Sequence, residues 1–216
     1  MTIDDFDIIV STIPESDRLD RLFRHFYDAG ITRWMLDYEP RFTGELPADY
    51  VGHKVPGAYG CGLHFCEIQA KFSHRNIIYF EDDAILNPDF CEVMNQHLDE
   101  LPDDWKIFVA GYLGKMNVRE RRAGENSVSE HLCRNVYKFW GTQCLVLRAG
   151  EWRNTLTDDI RSNEIYKYNQ GQGFDLCIAQ WARAKGLPVY FAKWSFVGQG
   201  DGMSFILNRY RKRSGT

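Results

Sequence analysis

The chain has 216 residues, 44% of them hydrophobic and 14% aromatic, and carries a formal net charge of -4. That length supports one substantial core, the composition excludes a disordered or fibrous protein, and the acidic balance argues against a surface built as a whole to bind nucleic acid. No stretch approaches the ~20 apolar residues that span a bilayer, and Met1 to Asp5 is acidic where a secretory signal is basic, so a cytoplasmic protein is expected.

Phe6 to Ile13 reads as a strand broken by Pro14, and Leu19, Leu22, Phe23 and Phe26 then share one face of a helix stopped by Gly30. Trp34 to Asp37 reads as the next strand. Residues 39 to 59, rich in Pro, Gly and Tyr, read as an irregular stretch, either a binding loop or a flexible one. A helix is expected over 60 to 73, a buried strand from Ile77, and a helix from Pro88 to Leu101 with Asn87 as its cap. Lys106 to Ala110 is a short strand, and 115 to 130 has no apolar period and reads as a loop. Strands follow at 135 to 139 and 143 to 148, helices near Gly150 and over 174 to 185, and a last strand at 188 to 192. Six cysteines without a Cys-x-x-Cys pair read as reduced core thiols. The alternation of strands and helices, turning mixed in the second half, indicates one α/β domain over residues 1–208 with a mixed, mostly parallel sheet flanked by helices. Arg209, Arg211, Lys212 and Arg213 give residues 209–216 the character of a basic C-terminal tail.

Glu81, Asp82 and Asp83 end the apolar run Ile77 to Phe80. Three adjacent carboxylates at the C-terminal edge of a buried strand repel one another, and a divalent cation with a phosphate-bearing substrate is a common reason to keep them together. Walker B sites and phosphoaspartyl receivers share the pattern. The chain has no Gly-x-x-x-x-Gly-Lys-Ser/Thr loop, and its second half is too mixed for a receiver.

Several segments in order sharpen this. Asp17-Arg18 follows the first strand, Gly60-Cys61-Gly62-Leu63-His64 precedes the acidic strand, and Tyr79 to Ala84 is followed by Pro88-Asp89-Phe90. Trp140 to Val146, Asp175 and the glycine-rich Val197 to Ser204 come next. In this the chain resembles the GT-A glycosyltransferases, and among them the family-25 group of lipopolysaccharide and collagen-type galactosyl and glucosyl transferases. The resemblance implies an inverting transfer of glucose or galactose from a UDP-sugar to an acceptor hydroxyl, with Mn²⁺ or Mg²⁺ as cofactor. It implies Asp83 as the direct metal ligand, with a second ligand from Gln199 or Asp201, where the family has a histidine that is absent here. It implies Arg18, Glu81, Asp82, Gly141 and Thr142 around the nucleotide, and Asp175 as the base that deprotonates the acceptor. Trp140, Tyr112 and Trp194 are candidates for an aromatic platform, and His64 is a candidate for nucleotide or acceptor contact or for a structural hydrogen bond.

Three other functions remain open on the residues alone. A viral-type transferase acting on DNA bases is permitted by the basic tail and opposed by the net charge. A noncatalytic nucleotide-sugar-binding module is suggested by the missing histidine. A metal-dependent phosphodiesterase would use the same carboxylates on a nucleotide diester.

Overall fold

A computed structural model of the chain describes residues 1–38, 42–111, 126–134 and 142–200, together with the backbone of 202–204 and 209–211. Its centre is a seven-stranded mixed sheet. The strands are β1 (Asp7–Thr12), β2 (Met35–Tyr38), β3 (Ile77–Glu81), β5 (Ile107–Val109), β6 (Leu132–Arg134), β7 (Cys144–Leu147) and β8 (Val189–Ala192), in the order β2-β1-β3-β7-β5-β8-β6. β1, β2, β3, β5 and β8 run in one direction, and β6 and β7 oppose them. The mixed α/β architecture expected from the sequence is therefore present.

Among the described residues five helices cover the sheet: α1 (Leu19–Asp28), α2 (Pro56–Lys71), α3 (Phe90–Glu100), α4 (Trp152–Arg161) and α5 (Phe174–Ala184). Strand residues alternate between two apolar cores, as the pleat requires. Ile9, Tyr79, Val109, Leu145 and Phe191 pack with α2, α4 and α5, whereas Val10, Phe80, Phe108, Val146 and Tyr190 pack with α1 and α3. α1 matches its amphipathic pattern, with Leu22 and Phe26 four residues apart and both fully buried. α2 is buried over most of its surface instead, and its glycines allow close approach. A Cβ on Gly62 would collide with the Tyr166 hydroxyl on the 3-10 segment Glu164–Asn169.

Several boundaries differ from those read in the sequence. α2 starts at Pro56 rather than residue 60, because proline at the first helical turn gives up an amide that has no intrahelical acceptor anyway. α3 starts at Phe90 with Asp89 as its N-cap residue, while Asn87 and Pro88 form a turn closed by Phe90 N donating to Asn87 O at 3.0 Å. Two short strands were not foreseen: β4 (Ala84–Leu86) and β9 (Val197–Gln199), which pair antiparallel as a separate ribbon. β6 was likewise not foreseen, and it lies between segments 112–125 and 135–141, outside the described residues along with Tyr112, Trp140 and the strand expected at 135 to 139. The backbone of β10 (Gly202–Ser204) pairs antiparallel with β11 (Arg209–Arg211), so part of the basic stretch takes strand form. All six cysteines are free thiols, and Cys66, Cys133, Cys144 and Cys177 are buried. No described helix is long and apolar enough to cross a membrane.

Candidate active site

The parallel strands end at one edge of the sheet, the edge where open α/β folds bind ligands. The β1–β3 register sets Ser11 against Glu81, which brings the next residues of the two strands, Thr12 and Asp82, side by side. Thr12 Oγ1 donates to Asp82 Oδ2 at 2.8 Å. Arg18, immediately before α1, donates from Nη1 to Asp82 Oδ1 at 3.1 Å, and the same nitrogen lies 3.8 Å from Asp83 Oδ2. Asp82 and Asp83 are each only 8% exposed, so their charges depend on these partners rather than on water.

Asp83 is held from the other end of the chain. β9 pairs with β4 so that Gln199 stands opposite Ala84, and Gln199 Nε2 donates to Asp83 Oδ2 at 2.7 Å. Gly200 N donates to the Asp83 carbonyl at 2.7 Å. Arg21, one helical turn after Arg18, packs its guanidinium where a Cβ on Gly200 would stand, so a side chain there would push the guanidinium aside. The two arginines of α1 thus reach the same small region.

Glu81 faces β7. Its carboxylate accepts a hydrogen bond from Thr142 Oγ1 and a long one, 3.5 Å, from Gln143 Nε2. The residue as a whole is partly exposed, but its carboxyl group lies under these two buried side chains. That burial, then the neighbouring Asp83 charge, outweighs the Thr142 hydrogen bond and pushes the carboxyl well above the usual carboxylate range, with Asp175 and Asp82 adding to the shift. Asp175 is therefore within electrostatic reach of the cluster. It is the second residue of α5, with Gly173 as the N-cap residue, and its Oδ1 accepts from Leu176 N at 2.8 Å. The capping position that aspartate often takes is occupied by glycine here.

The donors this edge offers a cation are oxygen atoms. They are the Asp82 and Asp83 carboxylates and Gln199 Oε1, a buried acceptor with no hydrogen-bond partner among the described residues. Gln143 Oε1, on a side chain 2% exposed, is in the same condition. Among the described residues no three His, Cys, Asp or Glu side chains form a metal cage. Two carboxylates and an amide oxygen suit a hard divalent cation that completes its shell with phosphate and water, as Mg²⁺ commonly does. The residues present fit the cation implied by the sequence resemblance.

A second polar network starts from Ser11, the β1 neighbour of Glu81. Ser11 Oγ is 3.0 Å from His64 Nδ1, His64 Nε2 is 2.8 Å from Asp37 Oδ1, and Lys71 Nζ donates to Asp37 Oδ2 at 2.9 Å. Burial pushes the Asp37 carboxyl up, but the hydrogen bonds and charges of His64 and Lys71 outweigh it and hold the group below its ordinary value. Ser11 is 7% exposed and His64 3%, so the inner end of this chain is closed to solvent, while Lys71 at its outer end is exposed.

The structure brings together Arg18, Glu81, Asp82, Asp83, Thr142 and Gln199 and places Asp175 near them, whereas Gly141 and Asp201 lie outside the described residues. Trp194 is exposed, as a platform residue must be. Sequence reasoning passed over Thr12, Arg21 and Gln143 as site residues. Thr12 was legible only once the β1–β3 register was known, and Arg21 only from its three-residue offset to Arg18. No protein-family profile and no curated protein matches the sequence. Among solved structures, the nucleoside-diphosphate-sugar pyrophosphorylase from Vibrio cholerae RC9 aligns over 85% of this chain and 70% of its own, at 14% identity and a TM-score of 0.36. A superposition this loose assigns neither family nor activity, and the family-25 resemblance rests on the sequence motifs alone.

Proposed function

We propose that the chain is a GT-A-type glycosyltransferase, one domain over residues 1–208, that moves glucose or galactose from a UDP-sugar to an acceptor hydroxyl with inversion. The observation that carries this reading is the meeting of Asp83, at the end of the acidic strand, with Gln199 at 2.7 Å, which closes a compact oxygen-rich site from distant parts of the chain. In this reading Asp83 with Gln199 or Asp201 holds the cation, and Arg18, Glu81, Asp82, Gly141 and Thr142 surround the nucleotide. A bound Mn²⁺ or Mg²⁺ would supply positive charge to the departing diphosphate.

Asp175 takes the proton of the acceptor hydroxyl. The acceptor oxygen then bonds to the anomeric carbon on the face opposite the diphosphate, and UDP leaves with the electron pair of the broken bond. Before the donor binds, Thr12 and Arg18 fix the Asp82 carboxylate by one hydrogen bond to each oxygen, so that the edge of the site keeps its shape.

Thermal melts with UDP-glucose and UDP-galactose, with and without Mn²⁺, test the reading. A ligand at a hundredfold excess over its Kd adds about 2.7 kcal/mol, a rise of about 5–10 °C for a domain of this size. No stabilisation by either donor with Mn²⁺ present overturns it. The Gln199 amide nitrogen facing Asp83 favours a second reading, a nucleotide-sugar-binding module without turnover. Stabilisation without product in the presence of acceptor glycans would select that one.

A further inference from the structure

We propose that Arg18 is a charge latch: it neutralises Asp82 and Asp83 until a divalent cation takes those carboxylates, and then turns to the phosphates of the nucleoside diphosphate. The inference rests on the proposed nucleotide-sugar site and adds to it a rule for how the site loads.

The geometry supports a latch over a simple strut. The Arg18 side chain is 12% exposed and its Nη1 is shared unequally, at 3.1 Å to Asp82 Oδ1 and 3.8 Å to Asp83 Oδ2. A guanidinium that holds one carboxylate closely and the next loosely already spans the two groups a cation would claim. Arg21 adds a second positive charge against Gly200, whose amide is bonded to the Asp83 carbonyl. Two arginines thus lie in the region of the two aspartates, Arg18 in direct contact with them and Arg21 beside Gly200.

A divalent cation entering alone would disturb that arrangement. It would displace Arg18 from the carboxylates and leave two guanidinium groups beside a dication at short range in a mostly enclosed site. A diphosphate entering alone would meet two carboxylates. Entering together they nearly cancel, and the displaced guanidinium gains phosphate oxygens, which its planar fork suits. Gln143 Oε1, buried beside Glu81 and without a partner among the described residues, is an independent sign that this edge awaits a ligand donor or cation.

Mn²⁺ binding by electron paramagnetic resonance and metal-free UDP binding by calorimetry, on wild type, Arg18→Gln and Arg18→Lys, test the latch. Arg18→Gln should bind Mn²⁺ alone about tenfold more tightly and metal-free UDP about tenfold more weakly, and UDP should enhance its Mn²⁺ binding less than in wild type. Arg18→Lys, which keeps the charge without the fork, should lie between and serves if Arg18→Gln does not fold. Unchanged or weaker Mn²⁺ binding in a folded Arg18 variant overturns the latch alone. Absence of Mn²⁺ binding to wild type with UDP present overturns the site reading and the latch with it.

Discussion

Starting from β1, Ser11, His64, Asp37 and Lys71 form a chain in which each successive pair lies within 3.0 Å. At the end of the neighbouring strand β3, Glu81, Asp82 and Asp83 follow one another, with one carboxyl driven toward its neutral form and two nearby amide oxygens lacking partners among the described residues. Both networks draw on β1, through Ser11 in one and Thr12 in the other. Their difference lies in completeness: a closed set of hydrogen bonds rigidifies a fold, while a crowded and partly unsatisfied one carries a cost that a ligand can relieve.

The largest test of that contrast is a pair of aspartates. Asp83→Ala is expected to lower UDP-hexose transfer about a thousandfold, equivalent to about 4 kcal/mol of barrier, while the folded state persists. Asp37→Asn, in the hydrogen-bonded chain of Ser11, His64 and Lys71, should leave turnover near wild type. Equal losses in steady-state assays of the two would erase the distinction. Next in size is Asp175→Asn, for which transfer falls about a hundredfold while UDP-sugar still raises the melting temperature. Retention of full transfer would remove Asp175 from the role of base.

The unequal legibility of the two regions follows from sequence distance. The acidic triplet stood out because Ile77 to Phe80 carries no charged group, and a buried strand delivering carboxylates to its end is a local pattern. The contact between Asp83 and Gln199 required β4 and β9, strands of three residues each, too short to show a period of two. The start of α2 was hidden by Gly57, Gly60 and Gly62, which lower helix propensity in isolation and are tolerated because the helix packs closely on its neighbours. Similarly, Ser11, Asp37 and His64 come from three separate elements, and only the parallel pairing of β1 with β2 and the packing of α2 bring them into line.

A smaller effect is expected from His64→Leu. The substitution leaves Ser11 Oγ and one Asp37 oxygen without their ring partner in a site 3% exposed, which costs about 2 kcal/mol of stability and about 4–8 °C in Tm. Turnover by the remaining folded enzyme should be little changed. A large fall in kcat at constant stability would instead move the histidine into the reacting site.

The smallest effect is in the acid limb of stability, and it isolates Asp37. Its carboxyl titrates below the ordinary value of 3.8 in the folded protein because His64 and Lys71 favour the charged form over the cost of burial. A depressed folded value means that the unfolded chain takes up the proton first as pH falls. The stabilisation is thus fully present above the unfolded value and disappears as pH drops through the folded one. Other carboxylates lose stability in the same range, Glu100 among them, since hydrogen bonds from Ser129 and His131 outweigh burial and hold it low as well. Comparing wild type with Asp37→Asn cancels those shared contributions. Urea unfolding at a series of pH values should show wild type ahead of the variant near neutrality, with the gap closing below about pH 4. A gap that stays constant to pH 3 would mean that Asp37 contributes through its shape and hydrogen bonds alone, and the closed network would then be held by geometry with no share from charge.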